Sequence, residues 1–195
     1  MRIILASASP RRRELLRNMG LRFETAVSNA PEQLIDGESP QDTVMRLAAE
    51  KAAVAAGHTD AGEKCIVIGA DTVVVIDGEI LGKPSGKEQA AEMLARLSGR
   101  THTVYTGICV LESCTNKRVC DCVATQVTFR ELTDDQISRY IKTGEPMDKA
   151  GAYGIQQLGS MLVERINGDY FSVVGLPVCR LSEILAGDFE IDLAV

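Results

Sequence analysis

The 195-residue chain has no tryptophan and only four Phe and four Tyr. It therefore offers few flat platforms for stacking single-stranded nucleic acid. It has two histidines, His58 and His102, and neither sits in a pattern with Cys or Asp that would support a Ser-His-Asp mechanism. No apolar run approaches the roughly 20 residues of a membrane span. There is no G-x-x-x-x-G-K-[ST] phosphate loop and no G-x-G-x-x-G fingerprint. None of the six cysteines (Cys65, Cys109, Cys114, Cys120, Cys122, Cys179) forms a C-x-x-C pair, so the zinc signature is missing too. The opening Met-Arg-Ile-Ile-Leu reaches Ser7 and a run of arginines too soon for a signal peptide's apolar stretch. The expectation is a cytoplasmic protein with all six thiols reduced, in which Cys120 and Cys122 share one face of a strand.

What is present is an ordinary globular composition, 45% apolar and 25% charged. A chain of this length buries about 70% of its unfolded surface, which suits one domain over residues 1–195 with an acidic, peripheral tail at 187–195. The net charge is −6, which disfavours nonspecific binding to nucleic acid. The charge is unevenly spread. Residues 1–24 carry arginines at 2, 11, 12, 13, 17 and 22 against Glu14 and Glu24, while the remainder is net −10. A basic knot in an acidic chain points to a small anion.

Ile3-Ile4-Leu5-Ala6 reads as a buried strand, ended by Ser7-Ala8-Ser9-Pro10. Ser9 before Pro10 reads as the cap of a helix closed by Gly20. Strands are expected at 22–28, from Cys65 up to Asp71, and at 101–111 and 118–130, the last two antiparallel. Val73–Ile76 and Glu79–Leu81 flank the hairpin dipeptide Asp77-Gly78. Helices are expected at 40–56, 87–97, 133–142 and 177–185, with a turn and strand between Ile166 and Gly175. Alternating helices and strands with one antiparallel section predict an α/β fold with a mixed sheet.

Ser7-Ala8-Ser9-Pro10-Arg11-Arg12-Arg13 places hydroxyls, a helix N-terminus and guanidinium forks in one short segment. That combination suits a phosphate. Arginines in a first turn otherwise oppose the helix dipole. Gly69-Ala70-Asp71-Thr72 puts a carboxylate at the end of an apolar strand, where α/β sheets place ligands. Asp71 can bind a metal, accept a proton from water, or simply form a turn. Lys83, between Gly82 and Pro84, is either a phosphate contact or a surface lysine. Lys51 is a phosphate contact or a favourable charge near a helix end. The Gly-rich stretch from Thr143 to Gln156 is either a loop that closes on a ligand or a surface connection.

Taken together, Ser7-x-Ser9-Pro10-Arg11-Arg12-x-Glu14-Leu15-Leu16, Gly69-Ala70-Asp71-Thr72-Val73-Val74, Gly82-Lys83-Pro84, Asp148-Lys149-Ala150-Gly151-Ala152-Tyr153-Gly154-Ile155-Gln156 and Gly168-x-Tyr170-x-x-Val173-Val174-Gly175-Leu176-Pro177 resemble the Maf family of nucleoside triphosphate pyrophosphatases. The resemblance runs from residue 3 to about 185. It implies an elongated α/β fold, similar to the inosine triphosphatase type, with a central mixed sheet flanked by helices and a cleft between two lobes. It also implies hydrolysis of a nucleoside triphosphate to the monophosphate and pyrophosphate with a divalent cation, Mg²⁺ or Mn²⁺, commonly in a homodimer. By position, Asp71 is the expected general base and a metal ligand, with Glu32 near the metal. Ser7, Arg12, Lys51 and Lys83 are expected on phosphates. Arg11, Thr72 and Gln156 match the residues of members acting on dTTP and UTP, whereas a subgroup acting on 7-methyl-GTP has an acid in place of the glutamine. A glutamine amide both donates and accepts, as uracil's O4 and N3–H require. A mismatched carboxylate leaves a buried group unpaired, at about 1–3 kcal/mol. The alternative is a nucleotide-binding regulator of septum formation, a role also associated with this family.

Overall fold

The computed structural model describes residues 1–27, 33–60, 62–115 and 117–193. In chain order the elements are β1 (Arg2–Leu5), α1 (Pro10–Asn18), β2 (Glu24–Thr25), α2 (Pro40–Ala56), β3 (Cys65–Ile76), β4 (Glu79–Leu81), α3 (Lys87–Leu97), β5 (Thr101–Glu112), β6 (Arg118–Phe129), α4 (Asp134–Lys142), β7 (Val163–Asn167), α5 (Tyr170–Val174) and α6 (Val178–Phe189). The strands form a seven-stranded sheet in the order β2-β1-β3-β5-β6-β7, with β4 paired to β3. This is the mixed α/β architecture expected. The chain divides into two compact units, one of residues 1–71, 106–123 and 175–195 and the other of residues 72–105 and 124–174.

In the first unit, β1 runs parallel to β2, with Ile4 opposite Glu24, and parallel to β3, with Ile3 opposite Ile66. Ser9 caps α1 by accepting from the Arg12 N–H, with Pro10 in the first turn. Ser39 and Pro40 open α2 in the same way. The alanine-rich face of α2 lies in a core of Ile4, Ala48, Ala52, Ala55, Val67, Cys109 and Leu111. Two glycines let the helix backbone come this close. A Cβ on Gly69 would stand 2.1 Å from Ala48 O, and one on Gly107 2.4 Å from Val44 O.

The second unit holds the β3–β4 hairpin, whose Asp77 and Gly78 have φ of 54° and 79°. Two successive positive φ values are what a two-residue hairpin turn requires. Its core joins Val74, Leu94, Leu97, Val104, Phe129, Ile141 and Tyr153. Thr133 and Gln136 close a reciprocal capping box on α4. β7 pairs antiparallel with β6, Val127 opposite Ile166.

Four readings need correction. The strand expected to end at Asp71 continues without a break to Ile76. Of the strand expected over 22–28, the described residues 22–27 hold the two-residue β2, and residue 28 lies outside the described residues. Residues 170–174 form a helix turn rather than a strand, and the strand of that region is β7, just before it. The last helix reaches Phe189 instead of Leu185, and Ile191 beyond it is buried, so the tail is partly packed.

Candidate active site

Four of the predicted site residues meet in the first unit. Gly69 and Asp71 are two apart on β3 and share a face. Ala48, Lys51 and Ala52 lie on one face of α2. The close approach over Gly69 therefore brings Lys51 onto Asp71. Lys51 Nζ donates to Asp71 Oδ1 at 2.5 Å, with both side chains about a tenth exposed. Asp71 keeps its place inside a continuous strand because the buried carboxylate has this partner. Removing either member of such a pair strands a buried charge, at about 3–5 kcal/mol.

Arg12 reaches the same strand. Its Nη1 donates to Ala70 O at 2.8 Å and to Ser7 Oγ at 3.4 Å, and its Nε donates to Gly175 O at 2.7 Å. Two backbone carbonyls thus fix the plane of the guanidinium. Ser7, which is buried, also accepts from the Ser9 N–H at 3.2 Å. Ser9 itself is occupied with capping α1. Arg11 is half-buried in the first turn of α1.

The basic knot does not act as one body. Arg2 is committed to Glu24 and Glu63, at 2.7 and 2.9 Å. Arg13, Arg17 and Arg22 line a separate surface pocket of about 500 Å³ with Phe23. Arg12 is the arginine whose contacts reach Ser7 and the Ala70 carbonyl next to Asp71.

Thr72, Lys83 and Gln156 belong to the second unit. Thr72 is half-buried on the face of β3 opposite Asp71. Lys83 is exposed in the turn after β4, ahead of buried Pro84. The Gly82 carbonyl accepts from the Gly151 N–H at 3.0 Å, which joins that turn to the Gly-rich stretch. The stretch is an ordered set of 3-10 turns with Gly151, Ala152, Tyr153 and Ile155 buried. Glu145 holds it together. Its Oε1 accepts from Tyr140 OH and the Gly159 N–H, both at 3.0 Å, and its Oε2 accepts from the Leu158 N–H at 3.2 Å. Half-buried Gln156 lies between Ala152 and Gln157, which hold left-handed φ of 59° and 52°. Such strain persists where surrounding bonds over-determine it.

Glu32, the second residue expected at the metal, lies outside the described residues. The sequence reading missed several parts of the site: the Ala70 and Gly175 carbonyls, the two glycines under α2, and Glu145. An isolated glycine inside an apolar strand, as at 69, is a signal of close backbone approach. Glu145 had no comparable signal.

A family model described as Maf-like protein matches residues 2–187. The chain is 51% identical over 194 residues to the dTTP/UTP pyrophosphatase of Clostridioides difficile (strain 630), covering 99% of this chain and 98% of that protein. It is 54% identical over 186 residues to the dTTP/UTP pyrophosphatase of Moorella thermoacetica, covering 95% and 94%. It is 51% identical over 193 residues to that of Bacillus anthracis (strain CDC 684 / NRRL 3495), covering 98% and 97%. A solved dITP/XTP pyrophosphatase from Mycobacterium abscessus is similar at a TM-score of 0.41 and 18% identity, over 68% of this chain and 76% of that one. The family model and the curated relatives each span nearly the whole chain, and the chain belongs to the Maf family.

Proposed function

We propose that the protein hydrolyses dTTP and UTP to the nucleoside monophosphate and pyrophosphate. Relatives named dTTP/UTP pyrophosphatase, about half identical over nearly the whole chain, support the substrate class. The observation that carries the chemistry is the buried Lys51–Asp71 pair beside Ser7 and Arg12.

Release of pyrophosphate breaks the bond between the α and β phosphates, so water attacks a phosphorus at that bridge. Asp71 orients that water and takes its proton, a role worth about 10²–10⁴ in rate. An ammonium has three donors, so Lys51 can hold Asp71 and a phosphate oxygen together. Both acceptor positions of Ser7 Oγ are filled, by Ser9 and Arg12, which leaves its O–H to meet a phosphate oxygen. Arg12, pre-oriented by two carbonyls, and Lys83 offset the charge on the leaving pyrophosphate. Arg11, Thr72 and Gln156 select the base. A buried, paired carboxylate favours turnover over a pure nucleotide sensor, which needs no base.

Among the described residues no group of three or more His, Cys, Asp or Glu is placed to hold a metal. Mg²⁺ characteristically takes one or two protein carboxylates together with substrate phosphate oxygens, and Asp71 fits that donor set. Asp71, with Glu32, would hold the cation, which would neutralise charge on the phosphoryl oxygens. The proposal includes one catalytic domain, a reading supported by the unbroken family match, with the homodimer and the cytoplasmic location that go with it. Among the described residues no helix is long and apolar enough to cross a membrane.

The test is a panel of dTTP, UTP and 7-methyl-GTP, each with Mg²⁺ or Mn²⁺, assayed separately for pyrophosphate and orthophosphate. Pyrophosphate from dTTP and UTP is expected. Orthophosphate as the product, or an equal or higher kcat/KM for 7-methyl-GTP, overturns the reading.

A further inference from the structure

Two of the six cysteines are placed opposite each other in the sheet, away from the proposed chemistry. β5 and β6 are neighbours, and the connection from Glu112 to Arg118 is far too short for a parallel crossover, so they run antiparallel. Three contacts fix their register. The Arg100 carbonyl accepts from the Phe129 N–H at 3.0 Å, the Thr101 and Thr128 hydroxyls lie 2.8 Å apart, and the Lys117 carbonyl accepts from the Glu112 N–H at 2.9 Å. All three obey one pairing, which sets Cys109 directly opposite Cys120. Pairs along an antiparallel ladder alternate between hydrogen-bonded and non-hydrogen-bonded types. Cys109–Cys120 falls in the same class as Thr101–Thr128, whose side chains touch, and this is the non-hydrogen-bonded class with Cα atoms about 4.5 Å apart. That spacing lies inside the roughly 4.4–6.8 Å window a disulfide needs. Packing agrees with the register, because Cys120 lies against the core cluster that contains Cys109.

We infer that Cys109 and Cys120 are a reversible oxidation site that closes to an intramolecular disulfide under peroxide. Cys120 is half-buried and Cys109 is buried. The Cys109 thiol hydrogen-bonds to the Cys120 sulfur, which lowers the Cys120 pKa and raises that of Cys109, and nearby Arg118 adds to the lowering at Cys120. Cys120, the more exposed of the two, is the thiol that peroxide reaches and hence the attacking thiolate. Its sulfur displaces water from a protonated peroxide, giving the sulfenic acid. Cys109 then attacks that sulfur and a second water leaves. Two thiols and one peroxide give one disulfide and two waters.

The other cysteines are poorly placed for this. The same register sets Cys122 opposite Gly107, and burial and Asp121 push its thiol up to about 11. The Cys65 carbonyl accepts from the Ser113 N–H, four residues along the chain from Cys109. Cys114 and Cys179 are exposed and serve as internal controls for unselective oxidation.

The test treats the reduced full-length protein with one equivalent of hydrogen peroxide, then alkylates and digests it with trypsin. Cleavage after Lys117 and Arg118 puts Cys109 and Cys120 on different peptides. The expected result is loss of two alkylatable thiols, a Cys109–Cys120 linkage by tandem mass spectrometry, and full return with dithiothreitol. Cys109→Ser should stop at a sulfenic acid on Cys120, trapped by dimedone, and Cys122→Ser should leave the linkage intact. A linkage through Cys114 or Cys179 in place of the pair, or Cys120 left reduced while those two react, overturns the inference.

Discussion

Acidification from about pH 7 to about pH 5 should cost the fold about 2 kcal/mol through one side chain, His102. The ring is 2% exposed. Its Nε2 lies 2.7 Å from the Tyr153 hydroxyl, and Phe129 and Tyr153 pack edge-on at 5.1 and 5.3 Å between ring centroids. Nδ1 has no hydrogen-bond partner among the described residues, whichever tautomer is present. Burial holds the imidazolium off, lowering the pKa from 6.5 to about 4. The sign follows from linkage. The unfolded chain takes up a proton below 6.5 while the folded one resists until about 4, so stability is complete above that window and is lost as the pH falls through it. One pKa unit is worth about 1.36 kcal/mol. The whole loss is thus about 3 kcal/mol, and about two-thirds of it has occurred by about pH 5. Carboxylates titrate in the same range, so the comparison is with His102→Gln, which keeps a polar reach toward Tyr153 and cannot take a proton. Urea unfolding of both proteins at the two pH values gives the answer. The wild-type advantage over the variant should shrink by about 2 kcal/mol at the lower pH. An advantage that does not change with pH refutes the buried neutral imidazole.

Gly69→Ala should both destabilise the protein and cut turnover, because its Cβ would meet Ala48 O at 2.1 Å and push away the helix that carries Lys51. Overpacking of this kind costs about 1–3 kcal/mol, read as a lower Tm together with reduced pyrophosphate release; an unchanged enzyme would show that the close approach is not needed. Glu145→Gln should free the Gln156 segment, since one of the two carboxylate oxygens that accept from Tyr140, Leu158 and Gly159 becomes a donor. Faster amide exchange at Leu158 and Gly159, with a higher KM for UTP, is expected at a local cost of about 1–3 kcal/mol; wild-type exchange would remove Glu145 from its clamping role.

Much of the fold was legible where local rules act alone. α2 and α3 have the expected bounds, because Ser39-Pro40 and the apolar period mark the former and the period closed by Gly99 marks the latter. Asp77-Gly78 marked its hairpin for the same local reason. The errors fall where tertiary partners override local preference. A charged residue at Asp71 reads as a strand end, but Lys51 from another element satisfies it and the ladder goes on. Val173 and Val174 suggested a strand, yet the segment turns as a helix, where Asp169 accepts from the Phe171 and Ser172 N–H groups. In the site, Ser7, Arg12, Lys51 and Asp71 were all named, and the structure brings them together. The groups that orient Arg12 are backbone carbonyls of Ala70 and Gly175, and no residue type advertises a carbonyl's direction. The commitment of Arg2 was hidden for a related reason: its partners Glu24 and Glu63 are distant in sequence, and the fold sets the pairing.

The central claim is that Asp71 is the base for a pyrophosphate-releasing hydrolysis, and Asp71→Asn tests it most directly. The substitution leaves Lys51 buried beside a neutral amide, so a melting curve must first show that the variant is folded at the assay temperature. The measurement is then kcat for pyrophosphate release from dTTP and UTP beside the Kd of each nucleotide. The account predicts a fall in kcat of at least about 100-fold with Kd within a few-fold of wild type. A folded Asp71→Asn protein that still turns over at the wild-type rate contradicts it.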